Sequence, residues 1–311
     1  MKICDCAAFL KAKDNILLIT HSRPDGDTLC SAAALCSALR RLGKNAGLYN
    51  NSEITETYMD FVKDYIWTSY DESCTVVSVD TADVKMFPIG FEGEVEMAID
   101  HHASNPGYAK NNLIYGEKAA CGEIIFELIK ALCGNLTKEE ANLVYAAIST
   151  DTGCFCYANT NPDTLRAAAE VIEWGAENGL MNKLLFRSMS YSRLKLEGLI
   201  YASMRSYRDN KVNVAIVTLD MMRESGATED DCDDLASLAG KVKGSVVSIT
   251  VRELPDGRSK ASVRTNETVN ASDICARFGG GGHSMAAGCN APMGPFEFAE
   301  ALIKVVDEVY K

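Results

Sequence analysis

Five residues of β-branched or leucine type, Ile16 to Thr20, run directly into His21-Ser22-Arg23-Pro24-Asp25-Gly26-Asp27-Thr28. An unbroken apolar run of that length reads as a buried strand, and strands buried on both faces belong to parallel sheets covered on each side. The polar residues after it then sit at the strand's carboxyl end, where an open α/β sheet keeps its ligand crevice. Pro24 and Gly26 turn the chain, and the alanine- and leucine-rich stretch from Leu29 to Leu42 comes next as a helix that packs on the sheet.

The same grammar recurs. Cys74 to Val79 is a second strong strand ending on Asp80, and Glu94 to Ile99 is a weaker one ending on Asp100-His101-His102. Ala46 to Tyr49 reads as a short strand before a helical segment near Glu56 to Lys63. Apolar residues from Cys121 to Cys133 recur at helical spacing, and Thr137 with Glu140 forms a capping box for a helix reaching Ser149. That helix runs into Thr150-Asp151-Thr152-Gly153. Asn161-Pro162 opens another helix to about Trp174, and further helical segments fill Asn182 to Met204. Beyond Tyr207 the pattern changes to strands at Val212 to Leu219, Ser245 to Glu253 and Lys260 to Arg264, with Pro255-Asp256-Gly257 turning the last two. A short helix from Asp273 to Phe278 stops at Gly279-Gly280-Gly281-Gly282-His283, and a final helix spans Pro295 to Tyr310.

The expectation is an α/β protein in which a mostly parallel, helix-flanked sheet in residues 1–190 is joined by a helical linker, 191–206, to a smaller α/β domain in 207–311. At 311 residues the chain exceeds one comfortable core, which agrees with two domains. No apolar run approaches the ~20 residues of a membrane span, and Asp5 interrupts the region a signal peptide would occupy, so a cytoplasmic protein is expected. The twelve cysteines form no Cys-x-x-Cys pair and read as reduced thiols, mostly in the core. A net charge of −12 argues against tracking long nucleic acid but allows a short anionic ligand held by local groups or metal ions.

The chain has four histidines, His21, His101, His102 and His283, and each falls beside an acidic or glycine-rich loop. With Asp25, Asp27, Asp80, Asp100 and Asp151, the first three gather at the ends of separate segments. Each aspartate alone would pass for a helix N-cap. Together they suit two divalent cations, and an imidazole and carboxylate shell without thiolates favours manganese, or magnesium, over structural zinc. Asp25, Asp27, Asp80 and Asp151 would balance the charge of two such ions. Metals about 3.5–4 Å apart lower the pKa of a water between them and support in-line displacement at phosphorus. The strand ending at Asp80 is the natural source of a bridging carboxylate, Asp100 the group that orients a histidine, and His102 a candidate acid for the leaving oxygen.

His21-x-x-x-Asp25-x-Asp27, Asp80 after its strand, Asp100-His101-His102 and Asp151-Thr152-Gly153 resemble, in order and spacing, the four motifs of the DHH phosphoesterases. The resemblance implies one manganese on His21, Asp25 and Asp80, a second on Asp27, Asp80, His101 and Asp151, with magnesium or cobalt as substitutes, and His102 at the scissile phosphate or leaving group. Gly280-Gly281-Gly282-His283 continuing to Ala286-Ala287-Gly288 resembles the signature of the DHH-associated type 1 domain, and Ser262-Val263-Arg264 its substrate-binding strand. Consecutive glycines let backbone N–H groups approach a phosphate, and the planar fork of Arg264 suits one as well. Six basic residues between Lys241 and Arg264 against Glu253 and Asp256 reverse the chain's acidity locally.

The resemblance implies a manganese-dependent phosphodiesterase that cuts dinucleotides and short oligoribonucleotides to mononucleotides, with 3'-phosphatase activity on 3'-phosphoadenosine 5'-phosphate as a companion. Cyclic di-AMP hydrolysis and an inorganic pyrophosphatase or exopolyphosphatase using the same metal motifs stay open as alternatives, as does a homodimer. No membrane partner is expected.

Overall fold

The computed structural model describes residues 1–232, 235–266 and 268–310, and the chain divides into two compact units, Met1–Ser188 and Met189–Lys311. The first unit runs α1 (Ile3–Ala12), β1 (Ile16–Ile19), α2 (Gly26–Arg41), β2 (Ala46–Leu48), α3 (Glu56–Val62), β3 (Thr75–Val79), β4 (Met97–Asp100), β5 (Asn111–Ile114), α4 (Cys121–Cys133), α5 (Lys138–Asp151), α6 (Pro162–Glu173) and α7 (Asn178–Phe186). Its five strands pair in the order β2-β1-β3-β4-β5, all parallel. The chain leaves β1 toward β2 and returns to the other side of β1 for β3, so the switch point lies between β1 and β3, and the loops carrying His21 and Asp80 open there.

Both faces of this sheet are covered, which is why its strands read as apolar throughout. Ile16, Leu18, Val77, Val79, Met97 and Ile99 pack with residues of α2 and α4 such as Leu35 and Phe126. On the opposite face Leu17, Ile19, Val76 and Ala98 lie under loop aromatics including Tyr49, Trp67, Phe87 and Phe91. The α5 capping box forms as read: the Glu140 N–H donates to the Thr137 hydroxyl at 3.2 Å and the Thr137 N–H to the Glu140 carboxylate at 2.8 Å.

The second unit consists of α8 (Tyr191–Ser203), β6 (Arg205–Tyr207), β7 (Val212–Val217), α9 (Leu219–Ser225), β8 (Val247–Glu253), β9 (Ser259–Thr265), α10 (Ala271–Ala276), β10 (Gly281–Gly282), β11 (Ala286–Ala291) and α11 (Pro295–Val309). Its described residues form a sheet ordered β10-β11-β9-β8-β7-β6, antiparallel except for the β7–β8 pair. Val212, Val214, Ile249, Val251 and Val263 pack with Phe298 and Leu302 of α11.

The structure departs from the sequence pattern in places with clear physical causes. The stretch expected as a helical linker, 191–206, is not a free connector: Leu196 and Ile200 of α8 are buried with Ala215 and Val217 of the second sheet, and Arg205 and Ser206 belong to a strand paired with β7. α2 begins three residues earlier than Leu29, because the Asp25 carboxylate caps it by accepting from the Asp27 and Thr28 N–H groups at 3.1 and 3.2 Å. Asp151 lies in the last turn of α5 and not in a loop beyond it. β5 and β11 leave little trace in the sequence because Asn111-Asn112 and the small residues Ala286 to Ala291 carry little strand propensity. All twelve cysteines are free, and Cys6, Cys30, Cys36, Cys121, Cys275 and Cys289 are buried. Among the described residues no helix is long and apolar enough to cross a membrane.

Because α8 covers the second sheet, a fragment starting at Met189 should melt cooperatively, and one starting at Tyr207 should not. Circular dichroism on the two fragments checks this; equal cooperativity would show that α8 is dispensable to that unit.

Candidate active site

Four chain segments deliver their polar side chains to one place at the carboxyl edge of the first sheet. The His21 Nδ1 is 2.7 Å from the Ser22 carbonyl, so that nitrogen carries the hydrogen and Nε2 is presented toward Asp25 Oδ1 at 3.8 Å. His101 is held the same way: its Nδ1 meets the Lys118 carbonyl at 3.1 Å. Its Nε2 lies 3.3 Å from Asp80, 3.6 Å from Asp151 and 3.9 Å from Asp27. His102 is turned the other way, with Nδ1 2.8 Å from Asp100 Oδ1.

Candidate ligand atoms of His21, Asp25 and Asp80 lie within 4.8 Å of one another, as do those of Asp27, His101 and Asp151, and those of Asp80, His101 and His102. Every residue anticipated as a metal ligand is therefore in one constellation, with Asp80 in two of the three groups. Asp80 itself is buried and has left-handed backbone with φ +55°, and its Oδ1 makes no well-formed hydrogen bond, its nearest nitrogens being His101 Nε2 at 3.3 Å and His102 Nδ1 at 3.5 Å. A buried carboxylate oxygen without a well-formed hydrogen bond costs free energy on the order of 1–3 kcal/mol unless another group satisfies it. Strain and a poorly satisfied oxygen on one residue mark a site kept for binding.

The electrostatics carry the same message. Burial, then the charges of Asp80 and Asp151, push the Asp27 carboxyl well above the usual carboxylate range. Burial likewise raises Asp151 to about 6, helped by Asp80 and Asp25 and opposed by His101. Burial disfavours a charged His21, but its hydrogen bond to Asp25 and the nearby carboxylates outweigh that and lift it to about 8. His101, under the same opposition, rises to about 10 beside Asp80 and Asp27. The site is short of positive charge, and it holds protons to make up the deficit. An oxygen and imidazole set with crowded, poorly satisfied carboxylates fits divalent cations.

Two local features that the sequence pattern did not disclose shape this cluster. Gly26 lets α2 meet the end of α5, because a Cβ there would stand 2.5 Å from the Thr150 methyl group. Asp27 also accepts the first N–H groups of α4, from Cys121 at 2.6 Å and Gly122 at 2.9 Å, so one carboxylate ties α2 to α4. Asn105, a residue that the sequence pattern passes over, donates to Asp100 Oδ2 at 2.6 Å. Its only sequence signal is its place just after the histidine pair.

In the second unit, the anticipated substrate residues also meet. β11 lies between β10 and β9, pairing Gly281 with Gly288 and Ala286 with Arg264, so the glycine-rich turn and Arg264 share one corner of the sheet. Gly280 has no room for a side chain, since a Cβ would stand 2.2 Å from the Gly288 carbonyl. Arg264, Gly281, Gly282 and His283 are exposed, and the His283 N–H donates to the Ala286 carbonyl at 2.8 Å.

A family model described as "DHH family, N-terminal domain" matches residues 15–148, and a DHHA1 domain model matches 209–311. The bifunctional oligoribonuclease and PAP phosphatase NrnA of Thermus thermophilus is 33% identical over 308 residues, spanning 97% of this chain and 92% of the relative. This chain belongs to the DHH family. It is a hydrolase of phosphoester bonds. The Bacillus subtilis protein of the same description is 27% identical over 288 residues, covering 89% of both chains. The crystal structure of an exopolyphosphatase-related protein from Bacteroides fragilis shares the fold, with a TM-score of 0.88 at 20% identity over 98% of this chain and 96% of that one.

The proton-loaded histidines make a prediction for this DHH-family chain. A folded-state pKa of about 8 for His21, above its ordinary 6.5, means that the metal-free fold gains stability from the bound proton below pH 6.5 and loses it as pH rises through 8. A divalent cation takes the neutral imidazole, so the rise in Tm on adding magnesium or manganese chloride should be small near pH 6 and larger near pH 8.5. Thermal melts across that interval check it; an increment that shrinks with pH contradicts the assignment.

Proposed function

We propose that the chain is a manganese-dependent phosphodiesterase of the cytoplasm that hydrolyses dinucleotides and other short oligoribonucleotides to mononucleotides, and that it removes the 3'-phosphate of 3'-phosphoadenosine 5'-phosphate. The observation that supports this reading is the set of three overlapping candidate ligand groups, two of which share the buried Asp80 carboxylate, in a chain 33% identical to an oligoribonuclease and PAP phosphatase over 97% of its length. His21, Asp25 and Asp80 would hold one cation, and Asp27, Asp80, His101 and Asp151 the other. When bound, the two cations offset the clustered carboxylate charge and lower the pKa of a water at the site.

The rest of the chemistry belongs to the protein's own groups. A water gives up one proton to solvent and its oxygen bonds to phosphorus as the bond to the leaving ribose oxygen breaks. His102, whose Nδ1 is engaged by Asp100, has Nε2 free to give that oxygen its proton. Asp100 stays ionised in this role: burial opposes its charge, but His102 and Asn105 hold its carboxyl below the usual range. Residues 1–190 would carry this chemistry, and 207–311 would grip the substrate. There, Arg264 supplies a bidentate partner for a phosphate, and Gly280, Gly281, Gly282 and His283 offer N–H and imidazole donors.

A panel of pApA, pGpG, short oligoribonucleotides, 3'-phosphoadenosine 5'-phosphate, cyclic di-AMP and pyrophosphate, assayed with manganese, tests the reading. Mononucleotides from the linear dinucleotides, abolished by a chelator and restored by manganese, are expected. Intact pApA and pGpG beside hydrolysed pyrophosphate would sink it. Arg264→Ala should raise KM about tenfold or more, the worth of a lost charge-assisted pair, with a smaller effect on kcat. An unchanged KM removes Arg264 from the substrate site.

A further inference from the structure

We propose that Asn105 is a positioning residue for the leaving-group proton: its amide holds the Asp100 carboxylate, and through it the His102 ring, against the turn that carries Asp80. The inference rests on the role given to His102 above and extends it by one residue.

Both side-chain polar atoms of Asn105 and its backbone N–H are committed. Nδ2 donates to Asp100 Oδ2 at 2.6 Å and to the Thr81 carbonyl at 3.1 Å. Oδ1 accepts the Gly107 N–H at 2.8 Å, and the Asn105 N–H donates to the His102 carbonyl at 3.0 Å. The amide can sit only one way round, because the flipped form would set its oxygen against a carboxylate and a carbonyl. Asp100 is fully buried and uses Oδ1 for the His102 N–H at 3.1 Å and Nδ1 at 2.8 Å. Oδ2 is the oxygen that Asn105 secures. Without that donor, Asp100 has a buried anionic oxygen to satisfy, and rotation about its terminal bond moves Oδ1 off the His102 ring.

The second bond explains why the amide sits where it does. Thr81 directly follows the left-handed Asp80, and its carbonyl also accepts the Tyr108 hydroxyl at 2.9 Å, which is in turn 2.8 Å from the Ser78 hydroxyl. One loop thus pins the Asp80 turn twice, and Asn105 is the member that also reaches the histidine's partner. The Asp80 N–H already donates to the Ile99 carbonyl at 2.8 Å, and Asn105 adds the tie that runs from the Asp80 turn to the Asp100 side chain itself.

The experiment compares two substrates with different needs for an acid. The ribose oxygen leaving pApA requires a proton, whereas the p-nitrophenolate leaving bis(p-nitrophenyl) phosphate departs without one. Asn105→Asp keeps the shape, removes both donors and sets a second carboxylate beside Asp100. It should lower kcat on pApA about 10–100-fold with KM changed less than about threefold, the usual range for an outer-shell partner. Its loss on bis(p-nitrophenyl) phosphate should stay below about threefold. Asn105→Ala serves if the aspartate variant melts early, and the ratio between substrates is internal to each preparation, so any unfolded fraction cancels. Equal losses on both substrates, or a loss confined to KM, would overturn the role. Wild-type enzyme that leaves pApA intact with manganese would instead overturn the proposed function, so the two failures are distinguishable.

Discussion

Carboxylates crowded together without enough positive charge are the constraint on which the rest of the first unit depends. Asp27, Asp80 and Asp151 surround the Nε2 of His101 at 3.9, 3.3 and 3.6 Å. A folded chain tolerates that only by taking up protons, as the raised Asp27 and Asp151 show, or by taking up cations. Asp80 is buried and its Oδ1 has only the His101 and His102 ring nitrogens near it, at 3.3 and 3.5 Å without hydrogen-bond geometry, so the polypeptide resolves the problem only in part. The fold is therefore built to attract positive charge, and phosphate chemistry is one use of it.

The same groups also hold the helices. Asp25 caps α2 and belongs to a ligand group, and Asp27 caps the start of α4 while facing His101. Reading such an aspartate as either a cap or a ligand poses a false choice, since a carboxylate has enough lone pairs for both. The double use is economical in geometry: a backbone N–H at a helix start fixes the carboxylate to within a hydrogen bond, so ligand position inherits the rigidity of the helix.

Most of the candidate site residues were legible because each comes at the end of a patterned element. Ile16–Ile19 and Thr75–Val79 are strands by composition alone, and the residues just beyond a buried parallel strand sit at the ligand edge. The scarcity of histidine made the pattern sharper still. Asn105, the Gly26–Thr150 approach and the cap on α4 were not legible, because each depends on residues far apart in sequence or leaves no periodic mark. The role of 191–206 was hidden for a related reason: helical spacing says that a segment folds into a helix, but not which sheet it covers, and Leu196 and Ile200 face Ala215 and Val217.

Residue order along the chain was sufficient to mark four of the five strands of the first sheet, the ligand candidates and the family motifs, because apolar periodicity and side-chain chemistry are local properties. The convergence of α2, α4 and α5 on one carboxylate cluster, the orientation of each imidazole and the tether from Asn105 to Asp100 came only with the folded molecule. Those depend on distances between segments, and such distances are set by packing and burial across the whole core, which no local window contains.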